Sequence, residues 1–223
     1  MDEQVLILPK RRYGTLIIIA GIAIAILFYP VVGTLVLNKK MDPVFRIFIS
    51  RLIIWATLPL VYRYAVKVEQ RDFLLWKETT RRTYFYIAAV AVLFLLIFGA
   101  QIIASVPRYL GFHDNVVVLK YWNDMLRHHL FLFVFTCFTA GVTEELLIRG
   151  YVLPRLSLLF KSGYQPVIIS SLLFSLLHIG YRNLGECIFT FVFGIICAVC
   201  YQKYRNIKLL MLFHFLYDLI ILV

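Results

Sequence analysis

Long apolar runs alternate with short polar breaks along this chain. The runs cover residues 13–37, 44–66, 84–106, 130 to about 160, 164–179, 184–201 and 209–223. At ~1.5 Å per residue, a helix of about 20 residues crosses the ~30 Å hydrocarbon core of a bilayer. The pattern therefore predicts an all-α, polytopic transmembrane helix bundle of about seven spans. The run behind Lys10-Arg11-Arg12 begins like a signal peptide, but it exceeds the ~7–15-residue apolar core of one, so a retained first span is expected. Pro30 should bend it, and Asn38 to Pro43 should form a turn. Two further segments read as interfacial. Residues 67–82 are polar with Phe73-Leu74-Leu75-Trp76 embedded, which predicts a membrane-surface helix with an aromatic anchor. Residues 107–129, the longest non-spanning segment, are partly apolar through Val116 to Leu119 and Tyr121-Trp122, and should form a surface helix or a lid.

Composition agrees with a membrane setting. Of 223 residues, 62% are hydrophobic and 16% charged, with a mean hydropathy of +0.85; soluble domains carry roughly 25% charged residues. The net charge of +11 does not point to nucleic acid, because the basic residues sit in short clusters between apolar runs, as in cytoplasmic loops. Lys10–Arg12, 63–82, 155–161 and 203–208 are expected on the cytoplasmic side, with the C-terminus outside. The lipid bilayer is the partner this implies. Cys137, Cys187, Cys197 and Cys200 all lie in apolar segments and read as small buried helix residues, not as a disulfide framework. No Gly/Ser linker, soluble domain or internal repeat breaks the chain, so residues 1–129 and 130–223 read as two parts of one integrated membrane domain.

Candidate chemistry lies where charge interrupts the apolar runs. Thr143-Glu144-Glu145-Leu146-Leu147-Ile148-Arg149-Gly150 sits inside the fourth run. Each charge at the centre of a membrane helix costs roughly 2.5–3.5 kcal/mol on insertion scales, so three unpaired ones would cost on the order of 8–10 kcal/mol. They must be paired. Glu145 and Arg149 are four apart on one helical face, with the acid N-terminal to the base. Glu144 is turned about 100° away and is the acid left for chemistry. Ala140 and Gly141, one turn earlier, leave room for another helix. A structural ion-pair knot between helices accounts for these residues equally well at this level.

Three more polar residues complete a constellation: His178, and His214 with Asp218 four residues on. Glu144 and His178 are each about 16 residues from the turn near Phe160, so an antiparallel hairpin sets both at about 24 Å from it. Two carboxylates and two imidazoles suit activation of water, with Glu144 as general base, or with Glu144, His178, His214 and Asp218 as ligands of a metal such as zinc. His113, His128 and His129 read as solvated surface residues.

Glu144-Glu145-x-x-x-Arg149, Phe174-x-x-x-His178 and His214-x-x-x-Asp218 resemble, in order and spacing, the three signature motifs of the CPBP family. These are the CAAX-protease and bacteriocin-processing membrane endopeptidases, formerly grouped as abortive-infection proteins. The resemblance covers residues 130–223 and includes Tyr151-Val152-Leu153-Pro154-Arg155. It implies an intramembrane endopeptidase of a prokaryotic cell membrane that cuts a membrane-associated peptide or protein tail. Glu144 and His178 would activate the attacking water, His214 and Asp218 would hold a metal (Zn2+) or stabilise the oxyanion, and Glu145 and Arg149 would hold the shape of the site. Asp218 stands where eukaryotic prenyl-protein proteases usually carry Asn, which argues more against a prenylated substrate than against peptidase activity. The alternatives are a non-catalytic membrane scaffold, sensor partner or bacteriocin immunity protein, and a transporter with a midplane ion site, for which no paired repeats speak.

Overall fold

The computed structural model of the protein describes residues 14–38, 40–112, 117–160 and 162–221. All regular elements among them are helical. α1 (Gly14–Val36) contains Pro30. α2 (Pro43–Tyr64) continues through a π-helical turn, Ala65–Glu69. α3 (Thr83–Tyr109) precedes the short helix α4 (Val117–Arg127). α5 (Leu130–Thr139), a π-helix Ala140–Val152 and α6 (Leu153–Leu159) then follow head to tail as one rod. α7 (Tyr164–Leu177) ends in a 3-10 turn, Ile179–Tyr181, before α8 (Leu184–Tyr204) and α9 (Ile207–Ile221).

Local chemistry sets these boundaries. Asp42 caps α2 by accepting a hydrogen bond from the Phe45 N–H at 2.9 Å, and Pro43 fills the first helical position, where no N–H is needed. Asn183 caps α8 through the Glu186 N–H, and Asn206 caps α9 through the Leu209 N–H.

Six helices among the described residues are long and apolar enough to cross a membrane, and the protein is a multi-pass integral membrane protein. α9 is the exception to the expected seven. Its 15 residues reach about 22 Å, short of the ~30 Å hydrocarbon core. It is enclosed instead: Leu209, Leu210 and Phe213 are fully buried. The rod Leu130–Leu159 is the most enclosed of the long helices, whereas α3 turns Ile87, Leu95, Phe98 and Ile102 outward, as a lipid-facing helix does.

Two glycines let helices approach to backbone distance. A Cβ on Gly194 of α8 would lie 3.0 Å from the Ser171 Cα of α7. One on Gly141 of the π-helix would lie 2.7 Å from the Phe215 N and 3.0 Å from the Met211 carbonyl oxygen of α9. The helix that Gly141 admits is thus the one carrying His214. Gly141→Ala is expected to push α9 outward at a cost of about 1–3 kcal/mol, read as a lower melting temperature in detergent; an unchanged melting temperature would show that α9 gives way freely.

One further expectation changes. Residues 70–82 are not a surface helix but an irregular strap, with Phe73, Leu74 and Trp76 packed against the main core. Side-chain demand explains this. Glu78 leaves the strap to accept both carboxylate bonds from the Ile207 N–H, at 2.9 and 3.1 Å. The Asn206 amide donates to the Thr79 carbonyl at 2.7 Å. Burial pushes the Glu78 carboxyl up, opposed by the Ile207 N–H, the Tyr201 hydroxyl and Lys208. The strap thereby fixes the start of α9. Within the segment 107–129 the chain forms α4, whose Leu126 is buried with Ile47, Leu132, Phe133 and Cys137 in a second small core.

Candidate active site

The fourth membrane helix changes from α to π geometry at Ala140, four residues before Glu144. Its hydrogen bonds run to the fifth residue on, widening the turn, a feature frequent at functional sites. The two adjacent acids leave it in different directions. Glu145 is fully buried. Its Oε1 accepts from Arg149 Nη1 at 2.9 Å and from His214 Nδ1 at 2.8 Å. A carboxylate can only accept, so His214 carries its proton on Nδ1. The Arg149 guanidinium lies 4.4 Å above the centre of the Phe174 ring, where a desolvated cation is stabilised by about 2 kcal/mol. Arg149 and Glu145 are therefore paired as their spacing predicts, with His214 as a third member that spacing does not show.

Glu144 is only half-buried and lines a cavity of about 400 Å³ between α1, α2 and the π-helix. His178, at the C-terminal cap of α7, lines the same cavity. Its Nδ1 lies 2.9 Å from the Phe174 carbonyl oxygen. That oxygen can only accept, so Nδ1 donates and the Nε2 lone pair of the neutral ring is left for other work. His214 and Asp218 line a second cavity of about 190 Å³, together with His178 and Glu186. The His214 Nε2 stands 3.7 Å from Asp218 Oδ2, too far for a hydrogen bond but within ion-pair range. Phe174 joins the two sides, with its ring centre 4.8 Å from that of His178 and 6.4 Å from that of His214.

The four proposed zinc ligands are not gathered into one set. Glu144 lines the larger cavity, His214 and Asp218 the smaller, and His178 both. Among the described residues no three His, Cys, Asp or Glu side chains are grouped as they would be around a metal ion. The bond to Glu145 commits the His214 Nδ1 edge and leaves Nε2 on the side of Asp218, in the smaller cavity.

His128 and His129 are exposed, and His128 Nδ1 bonds the Asp124 carbonyl at 2.6 Å. His113 lies outside the described residues. All four cysteines are free. One buried cluster is not readable from spacing. Arg155 is fully buried, not a charge of a cytoplasmic loop. Its Nε and Nη2 donate to Glu69 Oε2 at 2.8 and 2.6 Å, and the Tyr151 hydroxyl donates to Glu69 Oε1 at 2.6 Å. The remaining guanidinium protons go to the carbonyls of Phe73, Asp72 and Tyr151. Tyr151 and Arg155 are four apart on the central rod, but Glu69 is 86 positions from Arg155, beyond any periodicity.

Residues 126–220 match the family model described as Type II CAAX prenyl endopeptidase Rce1-like. The match contains Glu144, Glu145, Arg149, His178, His214 and Asp218 and leaves out α1, α2 and α3. It supports a place for this part of the chain among the intramembrane CAAX-type proteases. No curated protein and no solved structure matches the chain.

Proposed function

We propose that the protein is an intramembrane endopeptidase of the CPBP type, cutting a membrane-associated peptide or protein tail with water activated by Glu144 and His178. The observation that carries this reading is the shared cavity: it is lined by a half-buried carboxylate without a cationic partner on its own helix face and by an imidazole whose Nδ1 is committed to a carbonyl. A water between them meets two acceptors, the Glu144 carboxylate and the His178 Nε2. It gives one hydrogen to each, which aims its lone pair at a peptide carbonyl. As the O–C bond forms, Glu144 takes the proton and the carbonyl oxygen becomes an oxyanion. Glu144 then returns the proton to the amide nitrogen, the C–N bond breaks, and the carboxylic acid product passes its proton to the released amine, giving a carboxylate and an ammonium. His214, with Nε2 protonated, donates to the oxyanion, and Asp218, 3.7 Å away, is the counter-ion of that imidazolium. Glu145 and Arg149 hold the π-helix, α7 and α9 in register. No step is routed through a metal, because the donor set does not converge on one point.

The match over residues 126–220 supports the peptidase class, and the bundle supports a substrate that arrives extended and through the membrane. A folded domain cannot enter a cavity of about 400 Å³. The test is comparative sequencing of protein termini in membranes from cells carrying wild-type or Glu144→Gln protein. Termini present only in the wild type are expected and name the substrate. Identical sets of termini, with the variant protein fully accumulated, would remove the hydrolase reading.

A further inference from the structure

The turn that follows His178 carries a hydroxyl that the fold does not use. Tyr181 ends the 3-10 turn Ile179–Tyr181. Its N–H donates to the His178 carbonyl at 3.1 Å, and Arg182 behind it takes a left-handed φ of 53° that leads the chain into the Asn183 cap of α8. This fold-back sets the Tyr181 ring 5.9 Å, centre to centre, from the His178 ring. Tyr181 lines the larger cavity with His178 and Glu144. It is half-buried, and its hydroxyl makes no hydrogen bond among the described residues. The oxygen is not sealed off either, being absent from the enclosed atoms that lack a partner. Other tyrosines inside the bundle differ. Tyr64 donates to the Ile17 carbonyl, Tyr151 to Glu69 and Tyr201 to Glu78, while Tyr217 accepts from Gln101. Tyr29 lines the larger cavity from α1, but of the two it is Tyr181 that lies against His178.

The surroundings of that hydroxyl define its use. The charged groups close enough to act on it are Arg51, Glu144, Glu186 and Asp218. The first two line the larger cavity and the last two the smaller, so the phenol stands beside the junction that His178 marks. Glu144 and the His178 Nε2 are both acceptors toward the attacking water, and neither serves a carbonyl oxygen that is gaining charge. That oxygen needs donors already in place. A phenol is a neutral donor. The Ser50 and Thr57 hydroxyls on the same wall are spent on the Ile47 and Ile53 carbonyls, at 2.7 and 3.2 Å.

We infer that Tyr181 is a further catalytic residue, whose hydroxyl donates to the oxyanion from the larger cavity while His214 donates from the smaller. The phenol keeps its proton throughout and supplies a hydrogen bond alone. The inference rests on the hydrolase reading, and the two can fail separately. Protein termini are sequenced in membranes of cells carrying wild-type, Glu144→Gln or Tyr181→Phe protein at equal abundance. Phe keeps the ring against His178 and removes one oxygen, so the melting temperature in detergent should not change. Termini specific to the wild type should form about 10²–10³-fold more slowly with Tyr181→Phe, the range for one lost oxyanion donor. On a synthetic peptide spanning such a cut, kcat should fall and KM should hold. A phosphinate analogue of that peptide, whose tetrahedral oxygens stand in for the oxyanion, should bind Tyr181→Phe about 10–100-fold more weakly, while the uncut peptide binds as it does to the wild type. Replacing Tyr181 with 4-aminophenylalanine, which keeps a donor there, should recover part of the rate. A wild-type kcat in Tyr181→Phe, unchanged binding of the analogue, or a loss confined to KM or to stability overturns the role and leaves the hydrolase reading intact. Identical termini with wild-type and Glu144→Gln protein remove the hydrolase reading, and this role with it.

Discussion

Glu144→Gln is expected to leave the protein in the membrane at wild-type abundance and to slow peptide hydrolysis by about 10²–10⁴-fold, the range for loss of a positioned general base. The neighbouring change, Glu145→Gln, is expected to fail differently. Glu145 is fully buried and holds both Arg149 and His214 through one oxygen. Removing its charge leaves the Arg149 cation buried without its counter-ion, a loss of about 3–5 kcal/mol. Abundance and melting temperature should fall together with activity. The measurement is a paired one, with quantity of folded protein from size exclusion in detergent set against the rate on a peptide found by terminal sequencing. Glu144 is half-buried on a cavity wall, so an amide there disturbs no ion pair on its helix. If Glu144→Gln retained half the wild-type rate, or if Glu145→Gln folded normally and lost only rate, the roles given to the two acids would be reversed or wrong.

The second large effect belongs to the Glu69–Arg155 cluster. Arg155→Met should destabilise the protein by about 3–5 kcal/mol, because it leaves the buried Glu69 carboxylate with the Tyr151 hydroxyl alone. Glu69→Gln should cost a similar amount through the stranded guanidinium. The double variant should be less damaged than the two losses added together, by about 0.5–3 kcal/mol, since neither charge is then left alone. Unfolding midpoints in mixed detergent, compared across the four proteins, give the coupling. Strict additivity would mean that the carbonyls of Phe73, Asp72 and Tyr151 already satisfy Arg155 without Glu69.

Long-wavelength hydropathy was enough to find the bundle. The run 13–37 became Gly14–Val36, and 184–201 became Leu184–Tyr204, because a bilayer demands unbroken apolar helix whatever its neighbours are. The pairing of Glu145 with Arg149 was also legible, since both partners lie one turn apart on one element. What escaped was set by contacts distant in the chain. Arg155 looks like a loop charge beside Lys161, and only folding shows it enclosed against Glu69. Residues 70–82 carry an anchor-like composition but spend their polar groups on the α8–α9 turn, so a helix is not their best use. The π-helix leaves no sign in propensity, as the same residues suit either spacing.

Glu69 and Arg155 also impose an order on biosynthesis. The acid leaves the ribosome 86 residues ahead of its base, which at about 5–20 residues per second is a wait on the order of ten seconds. During that interval α1 and α2 are made while Glu69 is still without Arg155, the cation that encloses it in the folded protein. The Tyr151 hydroxyl, the other donor to Glu69, arrives only four residues before Arg155. The buried cluster that ties the end of α2 to the central rod can therefore close only after the chain has been made as far as Arg155.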